Sequence, residues 1–192
     1  MSFFRIARSA ALVALFAAVP AAASAQAPAV REGIPKRAVS LMVGGFGSDI
    51  NESTTFGIAA ARLDQRLSRH FLAEAGLSFA RGEVEIGDYS SSQPVFSRAT
   101  TSLATATVGV QAEAPLGPVR PYVGIASGLY LRMDPSGGHR FLYTTTEFPA
   151  GVRVPLTERL GARAEVRLRY DEQQGNGPAL GAETTVGVSL RF

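Results

Sequence analysis

Along most of this 192-residue chain, apolar and polar positions alternate with a period of two. The pattern is clearest at 180–192, where Leu180, Ala182, Val186, Val188, Leu190 and Phe192 share one parity. Gly181, Glu183, Thr185, Gly187, Ser189 and Arg191 take the other. Period two places these sets on opposite faces of an extended strand. Seven earlier segments behave alike: 38–46, 54–63, 70–80, 100–113, 119–131, 141–154 and 160–170. The second gathers Phe56, Ile58 and Ala60 on its apolar side, and the third alternates Phe71, Ala73, Ala75, Leu77 and Phe79 with Leu72, Glu74, Gly76 and Ser78. In the fourth, Leu103 falls on the polar side, which predicts a bulge or a displaced boundary there. In the seventh, Gly161, Arg163, Glu165, Arg167 and Arg169 share one parity; a helix would smear those charges around its surface.

The breaks between segments alternate in length. Those at 64–69, 115–118 (PLGP) and 155–159 (PLTER) are short, whereas those at 81–98, 133–140 and 171–179 are longer, polar and rich in Gly, Ser and Pro. Short turns on one side and long loops on the other are the plan of an outer-membrane barrel. The expected fold is therefore all-β: an eight-stranded antiparallel, transmembrane, up-and-down β-barrel over 38–192. An even strand number brings both ends of the barrel to the periplasmic side.

Hairpin closure then predicts registers. Around PLGP it pairs Val110 with Val123 and Val108 with Ile125, with Gln111 beside Tyr122. Around PLTER it sets Val154 opposite Leu160 and Glu147 opposite Arg167. Across the last loop it sets Tyr170 opposite Leu180 and Arg167 opposite Glu183.

Alternation alone does not tell a lipid-facing barrel from a water-soluble one, because each is the other turned inside out. The polar faces decide it. They hold Glu74, Glu113, Glu147, Arg153, Arg163, Glu165, Arg167, Arg169, Glu183 and Arg191, mixed in sign and interspersed with small residues. An eight-stranded lumen is only wide enough to be filled by side chains, and these fit it as a lumen charge network. Glu147, Arg167 and Glu183 are expected to form one layer of ion pairs that plugs it. The rival is an ion path. A soluble barrel would need large interior apolar residues and often a Trp, and the chain has none. Phe71 and Phe192 at the short-turn side, with Phe79 and Tyr170 at the long-loop side, match two interfacial girdles.

The N-terminus adds an address. Arg5 and Arg8 precede an apolar run from Ala10 to Val19, and Ala23-Ser24-Ala25 supplies a small-x-small cleavage pattern. A signal peptide at 1–25 is expected, with export through the periplasm, followed by a flexible leader at 26–37 (QAPAVREGIPKR). The rival is an anchor helix, for which the run is short. Removing Arg5 and Arg8 leaves 17 of the 19 basic residues against 16 acidic ones. With near-neutral charge and no basic run, no nucleic-acid partner is expected. Zero cysteines exclude a disulfide scaffold and thiolate metal sites.

Arg120-Pro-Tyr-Val-Gly124 with Gly128, then 163–170 (RAEVRLRY), then the terminal VGVSLRF resemble the small outer-membrane β-barrel domain proteins of OmpA-like and OmpX-like type. The resemblance covers 38–192 and implies location in the outer membrane. It also implies that Val186, Val188, Leu190 and Phe192 form the signal read by the barrel-assembly machinery. Full-length OmpA-type proteins continue beyond such a barrel; here the sequence stops at Phe192, so a cell-wall tether is not implied.

Little chemistry stands out. The only histidines are His70 and His139. Some eight-stranded outer-membrane barrels are lipid A deacylases with a His, a Ser two positions on, and a Glu. Phe141 follows His139 at that distance and Leu72 follows His70, so neither fits. No metal cluster, phosphate loop or cofactor site is visible. The expected role is structural or surface-interacting: contact with outer-membrane lipid and lipopolysaccharide, and an unidentified surface ligand through loops such as 81–98. A small channel is the alternative, and a lipid-modifying enzyme a distant third.

Overall fold

The computed structural model describes residues 37–48, 55–88, 95–133, 140–172 and 179–192. Eight strands follow one another: β1 (Arg37–Ser48), β2 (Thr55–Arg66), β3 (Phe71–Asp88), β4 (Val95–Glu113), β5 (Arg120–Met133), β6 (Arg140–Pro155), β7 (Leu160–Glu172) and β8 (Ala179–Arg191). Each pairs antiparallel with its sequence neighbours, and β1 pairs with β8 to close the barrel. Reciprocal amide bonds of 3.0 Å between Arg37 and Phe192 complete the seam. Closure leaves no free sheet edge, which a chain crossing lipid requires. The segments expected as signal peptide (1–25) and leader (26–37) lie outside the described residues except for Arg37, which is the first residue of β1 rather than the last of the leader.

The outer face carries Leu41, Val43, Leu77, Val108, Val110, Val123, Ile125, Leu168, Val186 and Val188, all about half exposed or more. So large an apolar belt is untenable in water and suits lipid. Phe71, Phe79, Tyr170 and Phe192 also point outward.

Three expectations change. First, β2 runs on to Arg66, so 64–66 belong to a strand and not to a turn. Its Phe56, Ile58 and Ala60 face the lumen. Second, Leu103 needs no bulge: β4 and β5 pair without interruption from Ser102↔Met133 to Glu113↔Tyr122, and Leu103 is buried inside the barrel. Third, β3 and β4 extend into the expected long loop, pairing as far as Asp88↔Val95.

Two turns also shift their registers by two residues. Gly117 has φ of 63° and Leu116 bridges Val119, so the β4–β5 turn is the pair Gly117-Pro118. Pro118 cannot take positive φ, which selects a II′-type turn with Gly in the first central place. The result is Val110↔Ile125, Ala112↔Val123 and Val108↔Ser127 instead of the expected pairs, and Glu113 rather than Gln111 opposite Tyr122. In the β6–β7 turn, the Thr157 hydroxyl accepts from the amides of Arg159 and Leu160, and the Leu160 carbonyl accepts from Leu156. That hydroxyl-built turn moves Val154 opposite Ala162, and Glu147 opposite Arg169 instead of Arg167. A shift of two keeps every side chain on its predicted face. Across β7 and β8, Tyr170↔Leu180 and Arg167↔Glu183 stand as expected.

Candidate functional site

The site is the lumen. β7 supplies its spine because alternate residues Arg163, Glu165, Arg167, Arg169 and Asp171 all point inward and are buried. Around them, β2 contributes Arg62, Asp64 and Arg66, β3 Glu74, β4 Glu113, β5 Arg120, β6 Glu147 and Arg153, and β8 Glu183. Among the described residues these seven arginines and seven carboxylates form one connected set of ion pairs. The formal charges cancel. Buried ions are tolerated only when paired and hydrogen-bonded in this way.

Arg163 lies at the centre. It reaches Glu74 at 2.5 Å, Glu165 at 2.6 Å and Asp64 at 3.1 Å. Its Nε donates to the Tyr122 hydroxyl at 2.8 Å, and that hydroxyl donates to Glu165 at 2.6 Å. The Arg153 guanidinium stacks 3.9 Å from the Tyr122 ring centroid. Gly151 makes room for this ring, since a Cβ there would lie 2.4 Å from the Ala164 carbonyl oxygen and 2.6 Å from the Tyr122 hydroxyl.

One turn of charges further out, Arg167 bridges Glu74 and Glu147 at 2.7 Å each and Glu165 at 2.9 Å. Glu183 pairs with Arg62 at 2.8 Å, so of the three residues expected as a single layer it joins the other two only through Arg62 and Glu165. Arg167–Glu147 is direct and Arg167–Glu183 is not. Arg169 binds Asp171 at 3.3 Å and Glu147 at 3.6 Å.

Beyond Arg169, towards the long-loop side, the filling turns apolar. Phe46, Phe56, Ile58, Ala80, Leu103 and Tyr130 pack as one cluster, with Tyr143 against it. Arg169 sits 4.8 Å from the Phe46 ring centroid and 5.0 Å from that of Tyr130, joining the charged layer to the aromatic one by cation–π contact.

Towards the short-turn side, Glu113 receives Arg66 at 2.8 Å, Arg153 at 3.3 Å and Arg120 at 3.5 Å. Gln111 accepts from Arg153 and donates to Glu74 at 2.6 Å. Arg191, expected in the network, stands at the rim and donates to the carbonyls of Thr157 and Leu160 rather than to a carboxylate.

The sequence reasoning missed Arg62, Asp64, Arg66, Arg120 and Asp171. Arg62 lies within 54–63 on the parity of Phe56, Ile58 and Ala60, and the same alternation carried three residues past Leu63 reaches Asp64 and Arg66. Val186, Val188, Leu190 and Phe192, expected as an assembly signal, are all exposed on the outer wall. His70 lies in the β2–β3 turn, its Nδ1 3.2 Å from the Glu113 carbonyl oxygen. His139 is outside the described residues.

Solved structures that share this fold include three outer-membrane barrels. Neisserial surface protein A is 14% identical with a TM-score of 0.58 over 81% of this chain and 96% of its own. The outer membrane protein OprG from Pseudomonas aeruginosa is 11% identical, with a TM-score of 0.52 over 83% and 96%. A major outer membrane protein from Thermus thermophilus is 13% identical, with a TM-score of 0.51 over 81% and 99%. No curated protein matches the sequence significantly. The family model described as outer membrane protein beta-barrel domain matches residues 9–192. With a lipid-suited belt outside, a closed eight-stranded sheet and that match over nearly its whole length, the chain belongs to the outer membrane protein β-barrel domain family.

Proposed function

We propose that this protein is a sealed outer-membrane barrel with a structural or surface-interacting role, its lumen plugged by the Arg/Glu network. One observation carries the reading: a charge-balanced layer spans the interior and an aromatic layer covers it on the long-loop side. Arg163, Arg167, Glu165 and Glu183 are fully shielded from solvent, which argues against a continuous water path. On this reading the chain is exported through the periplasm as a precursor that loses residues 1–25. Val186, Val188, Leu190 and Phe192 guide its insertion by the barrel-assembly machinery. The outer belt meets outer-membrane lipid, and the long loops meet lipopolysaccharide or a surface ligand.

Planar-bilayer recording tests the plug. Wild-type protein should give no steady conductance, and Arg167→Ala should both lower stability and admit transient current. Steady wild-type current, or Arg167→Ala conducting with undiminished thermal stability, would show that the network does not close the pore.

A further inference from the structure

The periplasmic mouth differs from the rest of the lumen because its charges do not balance. Arg66, Arg120, Arg153 and Arg191 line one cavity there together with Asp64 and Glu113. Three of the four guanidinium groups share Glu113. Asp64 is divided between Arg153 at 3.2 Å and the deeper Arg163 at 3.1 Å. Among the described residues, Arg191 has only carbonyl partners. With Arg37, which also lines the cavity and donates to Gln65, five cations face one whole carboxylate and part of another.

The donors are also incompletely used. In Arg66, Arg120, Arg153 and Arg191 the Nε atom is buried and has no acceptor among the described residues. Clustered, partly desolvated guanidinium groups repel one another, and each unanswered N–H adds a desolvation penalty. A multivalent oxyanion removes both costs, since the planar guanidinium fork matches phosphate-type oxygens in charge and geometry. Size narrows the choice further. The cavity measures about 50 Å³, and a water needs roughly 10–15 Å³ on the same scale. That is room for one tetrahedral oxyanion group.

We propose that the periplasmic mouth of this barrel is a binding site for a phosphate-type oxyanion held by Arg66, Arg120, Arg153 and Arg191. Two sources share that chemistry: a free phosphate in the periplasm, and the headgroup phosphate of a phospholipid at the barrel rim. The site does not depend on whether the lumen conducts.

The test uses the full barrel refolded in maltoside micelles, which contain no phosphate. Inorganic phosphate should raise the melting temperature by about 2–4 °C over chloride at matched ionic strength. In a second arm, phosphatidylglycerol doped into the micelles is compared with diacylglycerol, its counterpart without phosphate. A rise in the first arm assigns a soluble anion; a rise in the second alone assigns the headgroup. Arg120→Gln/Arg191→Gln should lose at least half of the rise, and Arg191→Gln at the rim serves alone if the double variant does not fold. No rise in either arm, or an equal rise in the variants, overturns the site.

Discussion

Arg167 donates to Glu147 over 2.7 Å although neither stands opposite the other: Pro149 faces Arg167 across the strands, and Arg169 faces Glu147. The contact is diagonal. Pro149 brings no N–H to the ladder, and the β5–β6 pairing accordingly passes from Val123↔Ala150 to Ala126↔Glu147. Pro149 itself points inward and is buried beside the arginine. A long guanidinium stem spans the offset that a shorter cation could not.

That diagonal bond is one of three ion pairs that Arg167 makes in the lumen. Arg167→Ala leaves Glu74, Glu147 and Glu165 each short of a cation and should destabilise the barrel by about 3–5 kcal/mol. Urea unfolding in lipid, followed by the folded band on cold gels, measures it. Arg167→Lys should recover only part of the loss, because one ammonium cannot match the bidentate fork.

Glu183 has one close partner, Arg62, and its replacement should be milder. Glu183→Gln keeps an acceptor for Arg62 and should cost about 1–3 kcal/mol in the same assay. A larger loss than for Arg167→Ala would mean that β8 and not β7 anchors the interior.

Gly151→Ala probes the room left for Tyr122. The added methyl meets both the Ala164 carbonyl and the Tyr122 hydroxyl, so a loss of about 1–3 kcal/mol is expected from overpacking. Adding Tyr122→Phe should not rescue it, because the backbone contact persists and Arg163 loses an acceptor.

Leu77 sits mid-strand on the outer face, 62% exposed. Leu77→Arg should cost about 2–4 kcal/mol when the barrel refolds into bilayers, as for a cation near the midplane. In a water-soluble barrel that substitution would be almost neutral, so the value reads the direction of the belt directly.

The intact barrel should also migrate differently on detergent gels before and after boiling. One mobility in both cases, with recovery from the soluble periplasmic fraction, would contradict the membrane placement.

Much of this fold is legible in the sequence because inside and outside alternate with period two. Arg163, Glu165, Arg167 and Arg169 declare the lumen face of β7 without any knowledge of their partners. Register was less legible, since it depends on turn chemistry: Gly117 must take the first turn place because Pro118 cannot, and the Thr157 hydroxyl rewires PLTER. The apolar cap was hidden for another reason. Phe56, Ile58 and Leu103 read as an apolar face or as a defect, because hydropathy does not reveal that one end of a lumen is dry. Ion-pair partners across the barrel were beyond reach, since Arg163 meets residues on strands that pairing rules never bring beside it.

Those distant partners bear on how the barrel is completed. Arg163 reaches back 99 residues to Asp64 and 89 to Glu74, and Arg167 reaches back 93 to Glu74. Until β2 and β3 curl round to meet β7, Arg163 has only Glu165 and Tyr122. Contacts so distant in sequence form late and slow the search. A sheet rolled up one strand out of place would strand several ions with no counter-ion in reach. The interior therefore acts as a checksum on closure, because ions are fully paired only when β1 and β8 meet in the native register.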